Sequence, residues 1–222
     1  MDNPSKLLYF SATQKENAEE TVLFKSIEKF DDTIDIIFAV NNSKPLSVVY
    51  NSMIDYAVKG GYEGLVLLHD DVELEHNPYF KLKELFKIYD LVGVAGCSEV
   101  TFDSPALWHI MGGKKLHGCV AHSHSGKKLT TSFGPYPHRV VMIDGVFMAL
   151  GKELLNSNLR FDEDNPARFH YYDLSYSFNC HNNGFKVGVG DIYINHMSPG
   201  LREVTPEWKN GEKWFLDTYG EW

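Results

Sequence analysis

"GLVLLHDDVELEHNP" (residues 64–78) is the stretch on which the reading of this chain turns. Four apolar residues, Leu65 to Leu68, run straight into His69, Asp70 and Asp71. A short unbroken apolar run is the pattern of a strand buried on both faces. Two adjacent carboxylates repel, and burying them costs several kcal/mol or more without a counter-charge. Either the strand has reached solvent at His69, or a divalent cation sits at its end.

The first half of the chain alternates strand and helix signals. "KLLYFSA" (6–12) reads as a strand, followed by a polar helical stretch from Glu16 to Phe30. "TIDIIFAV" (33–40) is a second strand, and Pro45 opens a helix with Leu46, Val49, Tyr50, Met53 and Ala57 at helical spacing, stopped by Gly60-Gly61. Pro78 opens another, with Tyr79, Leu82, Leu85 and Phe86 on one face, and "DLVGVAGC" (90–97) is a fourth strand. This alternation predicts βαβ units and a mostly parallel sheet.

The second half differs. Residues 98–139 are rich in Gly, His, Ser, Thr, Pro and Lys, and read as long loops with short antiparallel strands. "HRVVMIDGVFMALG" (138–151) returns to strand character, "FHYYDLSYSFNCHNNG" (169–184) reads as a helix capped by Asn183-Gly184, and "FKVGVGDIYINH" (185–196) is a last strand. The aromatic tail "EWKNGEKWFLDTYGEW" (207–222) is expected either to cover part of the domain or to lead into a further segment. No repeat or linker divides the chain, so one domain over 1–222 is expected.

With 222 residues, 43% apolar and 23% charged, the composition is that of an ordinary globular domain. A net charge of −9 excludes a nucleic-acid backbone as the main partner. No apolar run is long enough to span a membrane, and the N-terminus lacks a signal-peptide core. Cys97, Cys119 and Cys180 are odd in number and widely spaced, which reads as free thiols in a reducing, cytoplasmic setting.

In a parallel sheet the strands' C-terminal ends share one rim, where ligands bind. Ser11, Asn41-Asn42 and His69-Asp70-Asp71 end three strands and should lie there together; capping by Asn42 or Ser43 is the plainer alternative. Asp71 is the best single candidate metal ligand, with Mn²⁺ or Mg²⁺ as the ion, and His196 offers a second ligand. His117, His122 and His124 look like a metal site, but their loop-like spacing reads as an exposed, flexible segment, with substrate contact as the alternative. Asp144 and Asp173 sit among apolar and aromatic neighbours, which raises a carboxyl's pKa towards that of a general base.

This ordered set resembles the family 2-like glycosyltransferases of GT-A fold, from about residue 5 to residue 199. The segments that carry the resemblance are "VNNSKPLSVVYN" (40–51), "LLHDDVEL" (67–74), "DGVFMAL" (144–150), "FHYYDLSYSF" (169–178) and "VGVGDIYINH" (187–196). It implies an α/β GT-A fold with a mostly parallel central sheet and a smaller antiparallel part. Residues 1–100 would form a nucleotide-sugar half, residues 101–199 an acceptor and catalytic half, and residues 200–222 a tail. The metal ligands would be Asp71 and His196, with His69 in the place of the D-x-D motif's first acid. Asp173 would be the catalytic base, with Tyr172 replacing the Glu that precedes it in the family. Donor binding would fall to Ser11, Ala12, Asn41, Asn42 and Asn51, with His69 and Asp70. Acceptor contacts would fall to Trp108, Asp144 and Gly145.

The implied reaction is inverting transfer of a sugar from a UDP- or GDP-sugar to a hydroxyl acceptor such as a glycan. A non-catalytic sugar-binding module on the same fold is the main rival, favoured if Asp173 points away from the donor cleft. A nucleotidylyltransferase would need a Gly-rich, Arg-containing loop that "YFSATQKENAEE" (9–20) lacks. A helical HD-type phosphohydrolase would not put His69-Asp70 at a strand end.

Overall fold

The computed structural model describes residues 6–30, 34–100, 103–198 and 204–220. Thr33, expected to begin the second strand, and the tail residues 200–203 and 221–222 lie outside these. In chain order the strands are β1 (Leu7–Ala12), β2 (Asp35–Ala39), β3 (Gly64–Leu68), β4 (Val72–Leu74), β5 (Leu91–Gly93), β6 (Ala95–Cys97) and β7 (Leu116–His124). They continue as β8 (Lys127–Gly134), β9 (His138–Arg139), β10 (Met142–Ile143), β11 (Phe147–Gly151), β12 (Val187–Val189) and β13 (Ile194–His196). The helices are α1 (Val22–Ile27), α2 (Leu46–Lys59), α3 (Tyr79–Leu85), α4 (Trp108–Met111), α5 (Lys152–Leu155), α6 (Tyr172–Asn182) and α7 (Pro206–Tyr219).

One sheet has the order β2-β1-β3-β11-β5-β12-β9. Its strands β1, β2 and β3 are mutually parallel, and β12 is parallel to β5, while β11 runs antiparallel between β3 and β5. The expected mostly parallel α/β sheet is therefore present. Alternate residues of β1 and β3 feed opposite faces, as strand geometry requires. Leu8, Phe10, Leu65 and Leu67 pack with Leu46, Tyr50 and Ile54 of α2. Leu7, Tyr9, Val66 and Leu68 pack on the other face with Val72, Val120 and Ile194 of a second sheet. That second sheet runs β10-β6-β7-β13-β4, with β8 hairpinned onto β7, and is mainly antiparallel.

Three runs read as single strands are broken between the two sheets. Residues 90–97 divide at Val94 into β5 and β6, residues 138–151 divide into β9, β10 and β11, and residues 185–196 divide into β12 and β13. The 90–97 run stays apolar across its break at Val94, so hydrophobicity alone does not mark the switch there, whereas Asp144-Gly145 and Gly190-Asp191 interrupt the other two runs. The expected Glu16–Phe30 helix is shorter, beginning at Val22 after a Thr21 cap whose hydroxyl accepts from Phe24 N at 3.0 Å.

The histidine-rich stretch is not a loop. His117 and His122 lie within β7, which is flanked on both sides by partner strands, and His117 is buried and stacked on His138 with centroids 3.6 Å apart. Strand pairing overrides the weak β-propensity of its Gly, His and Ser residues. The aromatic tail is helix α7, started by Thr205, whose hydroxyl accepts from Trp208 N at 3.1 Å, and by Pro206. It does cover the domain: Trp208, Phe215 and Tyr219 are buried in the main core. No described helix is long and apolar enough to cross a membrane.

Candidate active site

The rim expected for the strand ends exists. Ser11 of β1 pairs with Phe38 of β2 and Leu68 of β3, so the three strands finish level. Beyond them Thr13 N donates to Ala39 O, Asn42 N to Thr13 O, and the Thr13 hydroxyl to Asp70 Oδ2 at 2.5 Å. The Asp70 carbonyl accepts from Val22 and Leu23, tying the β3 end to the start of α1. Asp70 thus fastens the rim, leaving its neighbours on either side to face inward.

Those neighbours form a cluster. Ligand atoms of His69, Asp71 and His196 all lie within 4.8 Å of one another. β13 pairs with β4, which brings His196 opposite Val72 and beside Asp71. His196 Nε2 lies 3.2 Å from the buried Asp71 Oδ1, an ion-pair contact without the alignment of a good hydrogen bond. Burial disfavours charge on both groups, but each favours the other's charged form: the His196 pKa is raised and that of Asp71 lowered. His69 is pushed down, chiefly by burial, so its ring is neutral. His122, across from His196 in the β7–β13 pairing, stands with its ring 5.5 Å away. Sequence reasoning assigns His69 to the donor and reads His122 as part of an exposed segment; the burial of 116–124 does not alternate and the strand carries a bulge at Gly118–Cys119, so no periodicity marks His122.

The cluster opens into a cavity of about 670 Å³. His69, Asp71 and His196 line it together with Asp144, Tyr172, Asp173 and Trp108. Phe133, Phe169 and Trp208 add aromatic wall, and no Lys or Arg is among the described lining residues. Asp173, in the first turn of α6, does not face bulk solvent, because α6 is buried on both sides. Tyr172 and Tyr176 enter one core, while Leu174 and Phe178 enter the other. Burial first, then the Asp144 charge, pushes the Asp173 pKa up to about 7, while hydrogen bonding from Gly145 opposes the rise. Gly145 N donates to Asp173 Oδ2 at 2.7 Å. A Cβ at position 145 would lie 2.1 Å from the Tyr172 hydroxyl, so only glycine allows this approach. Asp144 shapes the same turn by accepting from Val146 N at 2.9 Å.

A second, smaller cavity of about 440 Å³ opens at the outer rim, lined by Gln14, Asn41, Asn42, Ser43, Arg168, Phe169 and Glu207. Phe169 borders both cavities. Ala12 is half-buried at the end of β1. Two expected donor residues lie elsewhere. Ser11 is wholly buried, and Asn51 is occupied by bonds to Phe161 N, Phe161 O and Glu163 that anchor the 161–163 segment. Asn42 caps no helix; its side chain closes a turn with Lys44.

Comparison with known proteins adds family and fold. A family described as "Glycosyltransferase like family" matches residues 13–219. Over 61 residues the chain is 41% identical to "Streptomycin biosynthesis protein StrF" of Streptomyces griseus, covering 27% of this chain and 21% of that protein. The match thus spans about a fifth of that relative's length. Among solved structures, A197 from STIV is 14% identical and has a TM-score of 0.52, covering 90% of this chain and 98% of that one. TarS residues 1–349 from S. aureus are also 14% identical, with a TM-score of 0.48 over 97% of this chain and 74% of that one.

Proposed function

This chain belongs to the glycosyltransferase-like family matched over residues 13–219, and we propose that it is a metal-dependent inverting enzyme acting on a UDP- or GDP-sugar. The observation that carries this reading is the shared cavity: the His69-Asp71-His196 cluster and the Asp173 carboxyl line one space. A half-buried carboxyl with a raised pKa beside such a cluster suits a general base, which favours an enzyme over a non-catalytic module.

The residues fit a divalent cation. Asp71 Oδ1 is buried and has no well-aligned donor, only the His196 ring in ion-pair range at 3.2 Å, and a cation there would satisfy it. Two imidazoles and one carboxylate favour Mn²⁺ over Mg²⁺, which prefers oxygen ligands alone. His69, Asp71 and His196 would hold the ion. When bound, it supplies positive charge to the donor's diphosphate and to the departing nucleoside diphosphate.

The chain's own groups do the rest. Asn41, Asn42, Gln14 and Arg168 form the polar outer cavity, of a size for the nucleoside. Trp108, Phe133 and Trp208 offer flat apolar walls for sugar rings in the inner cavity. Asp173 takes the proton from the acceptor hydroxyl as its oxygen bonds to the anomeric carbon. The bond from that carbon to the diphosphate oxygen breaks on the opposite face, which inverts the configuration. The Gly145 N–H holds Asp173 Oδ2 and keeps the carboxylate aimed into the cavity.

The experiment is a panel of UDP- and GDP-sugars offered with Mn²⁺ and a set of hydroxyl acceptors. Release of nucleoside diphosphate should require the metal, and the product should have inverted anomeric configuration by NMR. Metal-independent turnover, or retention of configuration, would contradict the assignment.

A further inference from the structure

Tyr171, the residue before α6, has φ 63° and ψ −6°, in the left-handed region. The other described non-glycine residues with positive φ are Asn41 and Ser125, both short and polar. A bulky aromatic residue is strained there and persists only where its surroundings over-determine it.

The surroundings are α7. The Tyr171 ring is buried edge-on against Trp208, with centroids 5.5 Å apart, and tilted against Phe215 at 5.9 Å. Between these two, Gly211 lets the helix approach: a Cβ there would lie 2.7 Å from the Tyr171 ring and 2.4 Å from Ala167 Cβ. A glycine in a helix interior weakens the helix, so its place here has a packing reason. The Tyr171 hydroxyl is buried and unbonded, so shape and not a hydrogen bond holds the ring. The Ser104 hydroxyl donates to Glu212 at 3.1 Å, and Asn179 of α6 donates to the Tyr219 hydroxyl at 3.0 Å, which fastens α7 along its length.

The left-handed turn sets the direction in which the next side chains leave. Tyr171 O accepts from both the Ser175 amide, at 3.0 Å, and its hydroxyl, at 2.7 Å, starting α6. Tyr172 then reaches His69, and Asp173 reaches Gly145 N. We infer that α7 acts on the chemistry through Tyr171. Trp208, Gly211 and Phe215 clamp its ring, and the clamped turn aims the Asp173 carboxylate. Tyr171 is a positioning residue, and this inference rests on Asp173 being the base.

The test is a double-mutant cycle on the full chain, read with the UDP- or GDP-sugar that the wild type turns over. Gly211→Ala should lower kcat roughly 10- to 100-fold, the scale of a small misplacement of a reacting group. Donor KM and Mn²⁺-dependent UDP binding should stay unchanged. In the Asp173→Asn background the same change should leave the residual rate where it was, because nothing remains to aim. Tyr171→Phe should retain most of kcat. If Gly211→Ala loses UDP binding through misfolding, Phe215→Leu, which removes the ring contact at similar volume, takes its place in the cycle. Equal proportional losses in both backgrounds would overturn the clamp while leaving the base assignment intact. Full turnover by Asp173→Asn alone would overturn both.

Discussion

His69 and Tyr172 share a hydrogen bond of 2.7 Å between Nε2 and the phenol oxygen. They are also the two positions at which the chain departs from the pattern it resembles, where acids stand in place of His69 and Tyr172. The departures are matched. Burial keeps the Tyr172 hydroxyl protonated and His69 neutral, so one uncharged pair replaces what would be two carboxylates in a buried place. The bond also orients the His69 ring towards Asp71 and His196, the service that a hydrogen-bond partner commonly gives a ligating imidazole.

Tyr172→Phe should therefore weaken Mn²⁺ binding by about 10- to 100-fold, the usual span for losing such a partner. Calorimetric titration of Mn²⁺ into the nucleotide-free protein measures this. Unaltered affinity would mean that the Tyr172 hydroxyl serves folding alone.

The pH dependence of catalysis follows from Asp173. With its pKa at about 7, the carboxyl is protonated and useless as a base below that pH. Transfer should fall about tenfold per pH unit on the acid side and level off above neutrality. A kcat/KM profile with saturating metal checks this. A rate that stays flat down to about pH 5 would place the proton acceptor elsewhere.

Stability should show the same group with the opposite sign. The folded chain keeps the Asp173 proton up to about pH 7, whereas the unfolded chain releases it near pH 4. The folded state therefore binds more protons across that window, and stability falls as pH rises through it. Asp173→Asn removes the titration, so its melting temperature should exceed the wild type's by several degrees at about pH 8 and by little at about pH 4. Calorimetric melts at both values decide it. A pH-independent difference would show that burial does not strain this carboxyl.

Much of this site is legible in the sequence alone. The apolar run 65–68 ending in His69-Asp70-Asp71 announces a buried strand reaching a polar rim, and the aromatic surroundings of Asp173 announce a carboxyl with little solvent. What periodicity does not show is where strands change sheets. Val94 sits between β5 and β6 with apolar residues on both sides, because both sheets need them. Nor does it show that His122 faces His196, since that depends on the parallel pairing of β7 with β13, strands far apart in sequence. Ser11 misleads for a related reason. It ends an apolar strand like a rim residue, but its side chain turns into the core.

In the proposed mechanism Asp71, with His69 and His196, holds the cation on which nucleotide binding depends. Calorimetric titration of UDP and GDP into the wild type and Asp71→Asn, each with and without Mn²⁺, tests it most directly. The substitution keeps the side chain's shape and removes its charge, so the fold should persist by circular dichroism. The wild type should bind tightly only with Mn²⁺, and Asp71→Asn weakly and without response to the metal. Equal Mn²⁺-dependent affinity in the two proteins would contradict it.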